Sequence, residues 1–136
     1  MRARQEKCHN QKTWTADGAL HASKKEAERW CLLHLLERSG EISDLKRQVE
    51  YELIPTQRER SDQIYQKGPK KGQPKEGRVI ELPCKYIADF VYTTKTGERV
   101  VEDVKGHRDP KSAAYAKFVI KRKLMLYIHH IRIKEV

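Results

Sequence analysis

The chain has 136 residues, a length that suits one domain able to bury a core without disulfides or a structural metal. Its 29 lysines and arginines outnumber its 19 acidic residues and give a formal net charge of +10. Such an excess favours a polyanionic partner, either a nucleic acid or an anionic membrane. Because no apolar run is long enough to span a membrane and no signal peptide is recognised, we expect a cytoplasmic protein without a membrane partner.

The first part of the chain predicts a basic arm, a small hairpin and a helix. Residues 1–12 are basic and polar, and we expect them to fray or to contact a polyanion. The pair Asp17-Gly18 lies in the middle of residues 13–21 and is typical of a hairpin turn. The sequence Ser23-Lys24-Lys25-Glu26 is a capping box, so we expect a helix to begin there and to end near Arg38.

Two segments of contrasting composition follow the helix. Residues 45–54 alternate strictly, with Val49, Tyr51 and Leu53 on one face, and predict the first strand of the main sheet. Residues 55–83 have few apolar side chains and predict a long polar loop within the domain. The lysines of this loop would suit a strap over nucleic-acid phosphates, but a solvated insertion without a role fits the composition equally well.

A central hairpin is predicted from residues 86–92 and 97–106. β-Branched and aromatic residues dominate both runs, and the polar residues between them, which end in a glycine, supply a turn. Because side chains alternate along a strand, Ile87, Asp89 and Val91 are expected on one face of the first arm.

The second arm of the hairpin carries the residues that matter chemically. Asp103 and Lys105 share one face of the strand, and Glu102 takes the opposite face. Two carboxylates from adjacent strands can hold Mg²⁺, which prefers oxygen ligands and keeps several waters. A lysine two positions further on can stabilise transition-state charge or orient an attacking water. Asp89, Asp103 and Lys105 are therefore a candidate metal-dependent site, although each residue alone would more often mark a solvated strand end.

The last part of the chain predicts a helix over residues 111–127 and a closing strand over residues 128–134. The apolar residues of the first segment recur at helical spacing, and those of the second alternate. The predicted order is therefore helix, strand, strand, strand, helix, strand. We expect residues 1–136 to form a single α/β domain with this αβββαβ order.

The pattern Asp89 with Asp103-Val104-Lys105 resembles the active-site motif of the PD-(D/E)XK nuclease superfamily. The segments that are similar to small phage and prophage endonucleases of that superfamily are Asp17-Gly18, Ser23-Lys24-Lys25-Glu26, Tyr86-Ile87-Ala88-Asp89-Phe90 and Val101-Glu102-Asp103-Val104-Lys105-Gly106. The resemblance covers roughly residues 23–136. It implies a restriction-endonuclease-like core with a mixed sheet flanked by helices, although Ala88 stands where the family motif has a proline.

The resemblance also implies roles for individual residues. Asp89, Asp103 and the Val104 carbonyl would hold Mg²⁺, for which Mn²⁺ could substitute, and Lys105 would lie beside the attacking water. Glu26 would either add to this metal site and assist catalysis or only cap its own helix. The expected nucleic-acid-binding residues are Gln48, His107, Arg108, Lys121, Arg122 and Lys123.

The function implied is a metal-dependent DNA endonuclease that hydrolyses phosphodiester bonds. Similarity to small phage nucleases and Holliday junction resolving enzymes points to a homodimer that cuts branched DNA, in the host cytoplasm if phage-encoded. Two alternatives stay open: a nuclease acting on ordinary duplex, flaps or ends, and a non-catalytic basic DNA-binding module.

Overall fold

The computed structural model describes residues 11–106 and 108–136, so the predicted basic arm over residues 1–12 lies almost entirely outside the described residues. The elements in chain order are β1 (Thr13–Trp14), β2 (Leu20–His21), α1 (Lys24–Arg38), β3 (Ile42–Ile54), β4 (Gln57–Arg58), β5 (Val79–Glu81), β6 (Cys84–Thr94), β7 (Arg99–Asp103), α2 (Ala113–His129) and β8 (Lys134–Glu135). Neither helix has the length and apolarity of a membrane span within the part of the chain that the structure describes.

The main sheet has the strand order β3-β6-β7-β8. β3, β6 and β7 pair antiparallel, whereas β8 runs parallel to β7, so the sheet is mixed. The predicted hairpin between β1 and β2 is present, and the Ser23 hydroxyl caps α1 by accepting a bond from the Glu26 N–H at 3.1 Å. The fold is thus α/β with a mixed sheet flanked by two helices, as predicted from the sequence.

The two helices pack on opposite faces of the sheet over separate apolar clusters. The cluster under α1 is built from Leu33, Ile42, Phe90 and Tyr92. The cluster under α2 is built from Leu53, Tyr86, Ala88, Val91, Val101, Phe118, Met125 and Ile133. Because β6 contributes to both, its central residues are buried on both sides, which fixes the middle of the sheet most firmly.

The regular alternation of β6 breaks at Asp89. Ala88 and Val91 belong to the cluster under α2, whereas Phe90 belongs to the cluster under α1. The paired strand β3 has Gln48 in the left-handed region at the same point, with φ of 53°. The prediction that Ile87, Asp89 and Val91 share one face is therefore wrong, because a local irregularity shifts the alternation by one residue.

The predicted long polar loop contains a short hairpin within residues 57–81. β4 and β5 pair antiparallel at its base, and an isolated bridge joins Ile64 to Pro74 further out. Backbone bonds continue the ladder, for example from the Lys75 N–H to the Gln63 carbonyl at 2.8 Å. We call residues 57–81 the hairpin arm.

The predicted closing strand begins too early. α2 continues to His129, and His130 ends it in the left-handed conformation, with φ of 57° and its N–H bonded to the Met125 carbonyl. The last turn is held against β3, because His129 Nε2 donates to the Glu52 carbonyl at 2.6 Å. Only Lys134–Glu135 form a strand in this segment, and Ile133 just before it is buried.

A buried ion pair joins α1 to β7. The Glu102 side chain is fully buried and accepts bonds from Arg29 Nε at 2.8 Å and from the Tyr92 hydroxyl at 2.6 Å. Burial by itself would raise the pKa of Glu102, but the bonds from Arg29 and Tyr92 outweigh it and lower the pKa below the ordinary value. Glu102 therefore points away from Asp103, as the alternation predicts, and acts in the core.

We predict that Arg29→Met lowers the free energy of unfolding by about 3 kcal/mol, because it leaves the Glu102 charge buried without its main partner. Urea unfolding monitored by circular dichroism measures the change. Lys85→Met is the control, since it breaks an exposed pair with Glu50 and should cost under about 1 kcal/mol. An equal loss of unfolding free energy in the two variants would contradict the stabilising role of the buried Arg29–Glu102 pair.

Candidate active site

A pocket of about 580 Å³ opens where the first turn of α1 meets the middle of β6 and the end of β7. Four predicted catalytic residues, Glu26, Asp89, Asp103 and Lys105, line it together with Val104. The strand register explains the meeting of the two aspartates: Phe90 pairs with Glu102, so Asp89 on β6 lies across from Asp103 on β7. The structure therefore brings the proposed metal ligands and the lysine to one place.

Asp103 is held from two sides. Its Oδ1 lies 2.7 Å from Lys105 Nζ, and its Oδ2 accepts a 2.9 Å bond from the buried Tyr86 hydroxyl. Burial and the nearby Asp103 charge raise the pKa of Tyr86, so this hydroxyl remains a donor. Lys105 Nζ also lies 3.7 Å from the centre of the Phe118 ring, a cation–π contact that fixes the ammonium beside the carboxylate.

The position of Asp89 disfavours the negative charge of its carboxylate. Burial raises the pKa of Asp89 to about 7, and the neighbouring charges of Asp103 and Glu26 act in the same direction. The Val104 N–H donates to Asp89 Oδ2 at 2.8 Å and opposes the shift. Like carboxylates that share a partly buried site raise one another's pKa, and this is the electrostatic condition that a bound cation would relieve.

Gln48 connects the two remaining carboxylates. Its Nε2 lies 3.5 Å from both Glu26 Oε1 and Asp89 Oδ1. A non-glycine residue with positive φ is uncommon, and such strained positions occur preferentially at functional sites. The irregular backbone at Gln48 thus has a consequence for the site, because it directs the amide between two of its acids.

Three residues at this site were not predicted from the sequence: His21, Lys25 and Tyr86. His21 is almost fully buried, and its Nδ1 lies 3.5 Å from Glu26 Oε1. Lys25 Nζ donates to the Lys105 carbonyl at 2.8 Å across the pocket. Only strand pairing could have indicated Tyr86, and no spacing in the sequence indicates the other two.

The predicted nucleic-acid-binding residues do not all gather at the pocket. Lys121 Nζ donates to the Lys85 carbonyl on β6 at 2.7 Å. Arg122 and Lys123 line a separate hollow of about 410 Å³, where Arg122 pairs with Glu135 at 3.0 Å. Arg108 is exposed shortly after the pocket residue Gly106, and His107 lies outside the described residues.

The donor types of the pocket suit Mg²⁺. Carboxylate and carbonyl oxygens are the ligands that this cation prefers, and one or two carboxylates suffice because it keeps several waters. Within the described residues, no three acidic, histidine or cysteine side chains stand together as a ready metal cluster. Asp103 and Glu26 instead contact protein donors, so a cation would have to compete with Lys105 and Gln48.

Fold and pocket together define an α/β protein with a mixed sheet and one pocket lined by three carboxylates and a lysine, which come from α1, β6, and β7 with the residues that follow it. The chain belongs to the family described as "Protein of unknown function (DUF1064)", which matches residues 6–134. No curated protein and no solved structure matches this sequence. The family description names no activity.

We predict that Asp89→Asn stabilises the protein at pH 8 but not at pH 4.5, measured in EDTA. A carboxyl with a raised pKa makes folding less favourable as the pH rises from about 4, where the unfolded chain ionises, to about 7. Asparagine removes that penalty and can still accept the Val104 bond. We expect a gain on the order of 2 kcal/mol at pH 8 in urea unfolding.

The exposed replacement Asp62→Asn is the matched control and should change stability little at either pH. A loss of stability for Asp89→Asn at both pH values would show that the Asp89 charge is favourable in the folded protein. That result would contradict the electrostatics described above.

Proposed function

We propose that this protein is a metal-dependent endodeoxyribonuclease of the PD-(D/E)XK type. The observation that carries the proposal is the meeting of Glu26, Asp89, Asp103 and Lys105 in one pocket. The αβββαβ order, once the β1–β2 hairpin before α1 and the hairpin arm between β3 and β6 are set aside as additions, supports a restriction-endonuclease-like core. The net charge of +10 supports a polyanionic substrate.

Asp89 and Asp103 would hold Mg²⁺ together with the Val104 carbonyl, and Glu26 would assist from α1. When bound, the metal would polarise the scissile phosphate and offset the charge that develops on it. Lys105 is already fixed between Asp103 and the Phe118 ring, so its ammonium is positioned to orient a water or to face the phosphate. The Val104 N–H and the Gln48 amide hold Asp89 in place.

A rim of lysines gives the acidic pocket a means to accept an anionic substrate. Lys24 and Lys25 on α1 are exposed and line the same pocket as the acids. Cations beside the carboxylates would attract the phosphodiester backbone and reduce its repulsion by Asp89 and Asp103. The pocket thus combines acids for a cation with cations for a phosphate.

A non-catalytic DNA-binding module explains this arrangement less well. Binding to phosphates requires only exposed cations, which are abundant along the chain. Phosphate binding gives no reason for a partly buried Asp89 beside two further acids. Burial and these neighbouring acids raise the pKa of Asp89 to about 7. Electrostatic strain of this kind is more typical of a site that acts on a ligand.

We predict that Asp103→Asn and Lys105→Ala each reduce Mg²⁺-dependent DNA cleavage at least 100-fold while DNA binding stays within several-fold of wild type. Each variant removes a group from the reacting centre but leaves the exposed cations in place. Plasmid cleavage and a gel-shift titration measure the two properties. Asp62→Asn, the same chemical change at an exposed position, should cleave like wild type. Full activity in Asp103→Asn would exclude the proposed site.

We further propose that the preferred substrate is branched DNA, cut by a homodimer. The cations at the pocket rim, Lys24 and Lys25, support this proposal. Lysines contact phosphates as point charges and do not read bases. Selection by DNA shape is then the source of specificity. Symmetric cuts in a four-way junction require two sites related by a two-fold axis, which a C2 dimer supplies.

We predict that the protein cuts a four-way junction at least tenfold faster than a linear duplex of the same sequence, and that it is a dimer by light scattering. Both substrates are compared in Mg²⁺ and in EDTA. A monomer that cuts junction and duplex at equal rates would contradict junction resolution and leave the nuclease proposal standing.

A further inference from the structure

The hairpin arm is an ordered element that the catalytic proposal leaves without a role. Backbone bonds join its two sides at several points, for example from the Glu59 N–H to the Arg78 carbonyl at 2.8 Å and from the Tyr65 N–H to the Gln73 carbonyl at 3.0 Å. At Gly77 the strands approach so closely that an added Cβ would lie 1.7 Å from the Glu59 carbonyl oxygen. Only glycine fits there, so the arm is a specified structure and not a slack insertion.

Charge is sorted along the arm. The base, residues 57–62 and 76–81, carries three arginines and four acids, a net charge of −1, and contains the pair of Arg58 and Glu76 at 3.7 Å. The end, residues 63–75, carries four lysines and no acid. We call residues 63–75 the arm tip. Its +4 is a large share of the chain's +10, concentrated in 13 of 136 residues.

The lysines of the arm tip are available to a partner. Lys67, Lys70 and Lys71 are exposed, and among the described residues no carboxylate lies within ion-pair distance of any tip lysine. Turns at Gly68 and Gly72, both with positive φ, fix the course of the chain through the tip. A group of like charges without carboxylate partners, on a backbone held by turns, is expected to bind an external polyanion at a low cost in chain entropy.

The one aromatic side chain of the arm tip is not free to stack on a base. Tyr65 is partly buried, and both Lys70 Nζ and Lys75 Nζ lie 5.9 Å from its ring centre. Single-strand binding relies on open aromatic faces, which the arm tip does not offer. Lysine ammonium groups instead suit the phosphates of a duplex, which they contact without reading sequence.

We infer that the arm tip binds the phosphate backbone of the duplex that flanks the cleaved bond. The arm leaves the sheet at Cys84, five residues before Asp89 on the same strand, which is about 17 Å at the usual rise per residue. Eight residues separate Gln57 from Tyr65, so the tip lies up to roughly 26 Å beyond the base. The tip thus lies at most about 43 Å from Asp89, so on DNA held at the pocket its contact would fall within little more than one helical turn of the cut, which is about 35 Å. This inference rests on the proposed nuclease function.

The experiment compares two double variants in the cleavage-deficient Asp103→Asn background, with a 30-bp duplex as the probe. Lys67→Gln/Lys71→Gln removes two tip charges and leaves the lysines that pack on Tyr65. Lys46→Gln/Lys95→Gln removes the same charge from two exposed positions on the side of Asp89 away from the arm, towards the turn between β6 and β7. Dissociation constants are measured by fluorescence anisotropy across a salt series, and wild-type cleavage is assayed in parallel.

We expect the tip variant to reduce the slope of log K against log [salt] by about 2, because each lost phosphate contact removes about 0.9. The control variant should keep the wild-type slope. Equal slopes in both variants would overturn the inference while wild-type cleavage would still support the nuclease. Absence of both DNA binding and cleavage in wild type would instead reject the proposed function. Binding to anionic vesicles is measured as well. If the tip variant lost vesicle binding but kept duplex binding, the tip would be assigned to a membrane surface and the inference would be overturned.

Discussion

The site depends on one bond, from the Val104 N–H to Asp89 Oδ2 at 2.8 Å. It ties the end of β7 to the middle of β6 and keeps a partly buried carboxylate beside Asp103. Without that donor, desolvation and like-charge repulsion would favour rotation of Asp89 towards solvent. The site therefore has a cost in stability that the two apolar clusters on either side of β6 must offset.

Glu102 and Asp103 are neighbouring acids on β7 that lie in different environments. Glu102 faces α1 and is neutralised by Arg29, with Lys134 Nζ at 3.6 Å as a further cation. Asp103 faces the pocket. Its nearest cation, Lys105, lines the same pocket. Two carboxylates one residue apart thus lie on opposite faces of a single strand, one in the core and one in a pocket.

Several features could be predicted from the sequence because they depend on local rules. The Ser23 cap fixed the start of α1, and alternation placed Asp103 and Glu102 on opposite faces. Other features depend on distant contacts. Gln48, with its left-handed backbone, contacts Asp89 41 residues away, and the last turn of α2 is bonded to the Glu52 carbonyl, 77 residues away in sequence. The hairpin arm escaped prediction because its order comes from backbone bonds and not from apolar periodicity.

The central claim is that Asp89 and Asp103 hold a divalent cation in the pocket beside Lys105. A crystal grown with Mn²⁺ and recorded near the manganese absorption edge tests it directly. An anomalous difference peak adjoining both carboxylates and the Val104 carbonyl is the predicted result, and it should disappear in Asp103→Asn. An empty pocket at millimolar Mn²⁺, or a peak that persists in Asp103→Asn, would contradict the claim.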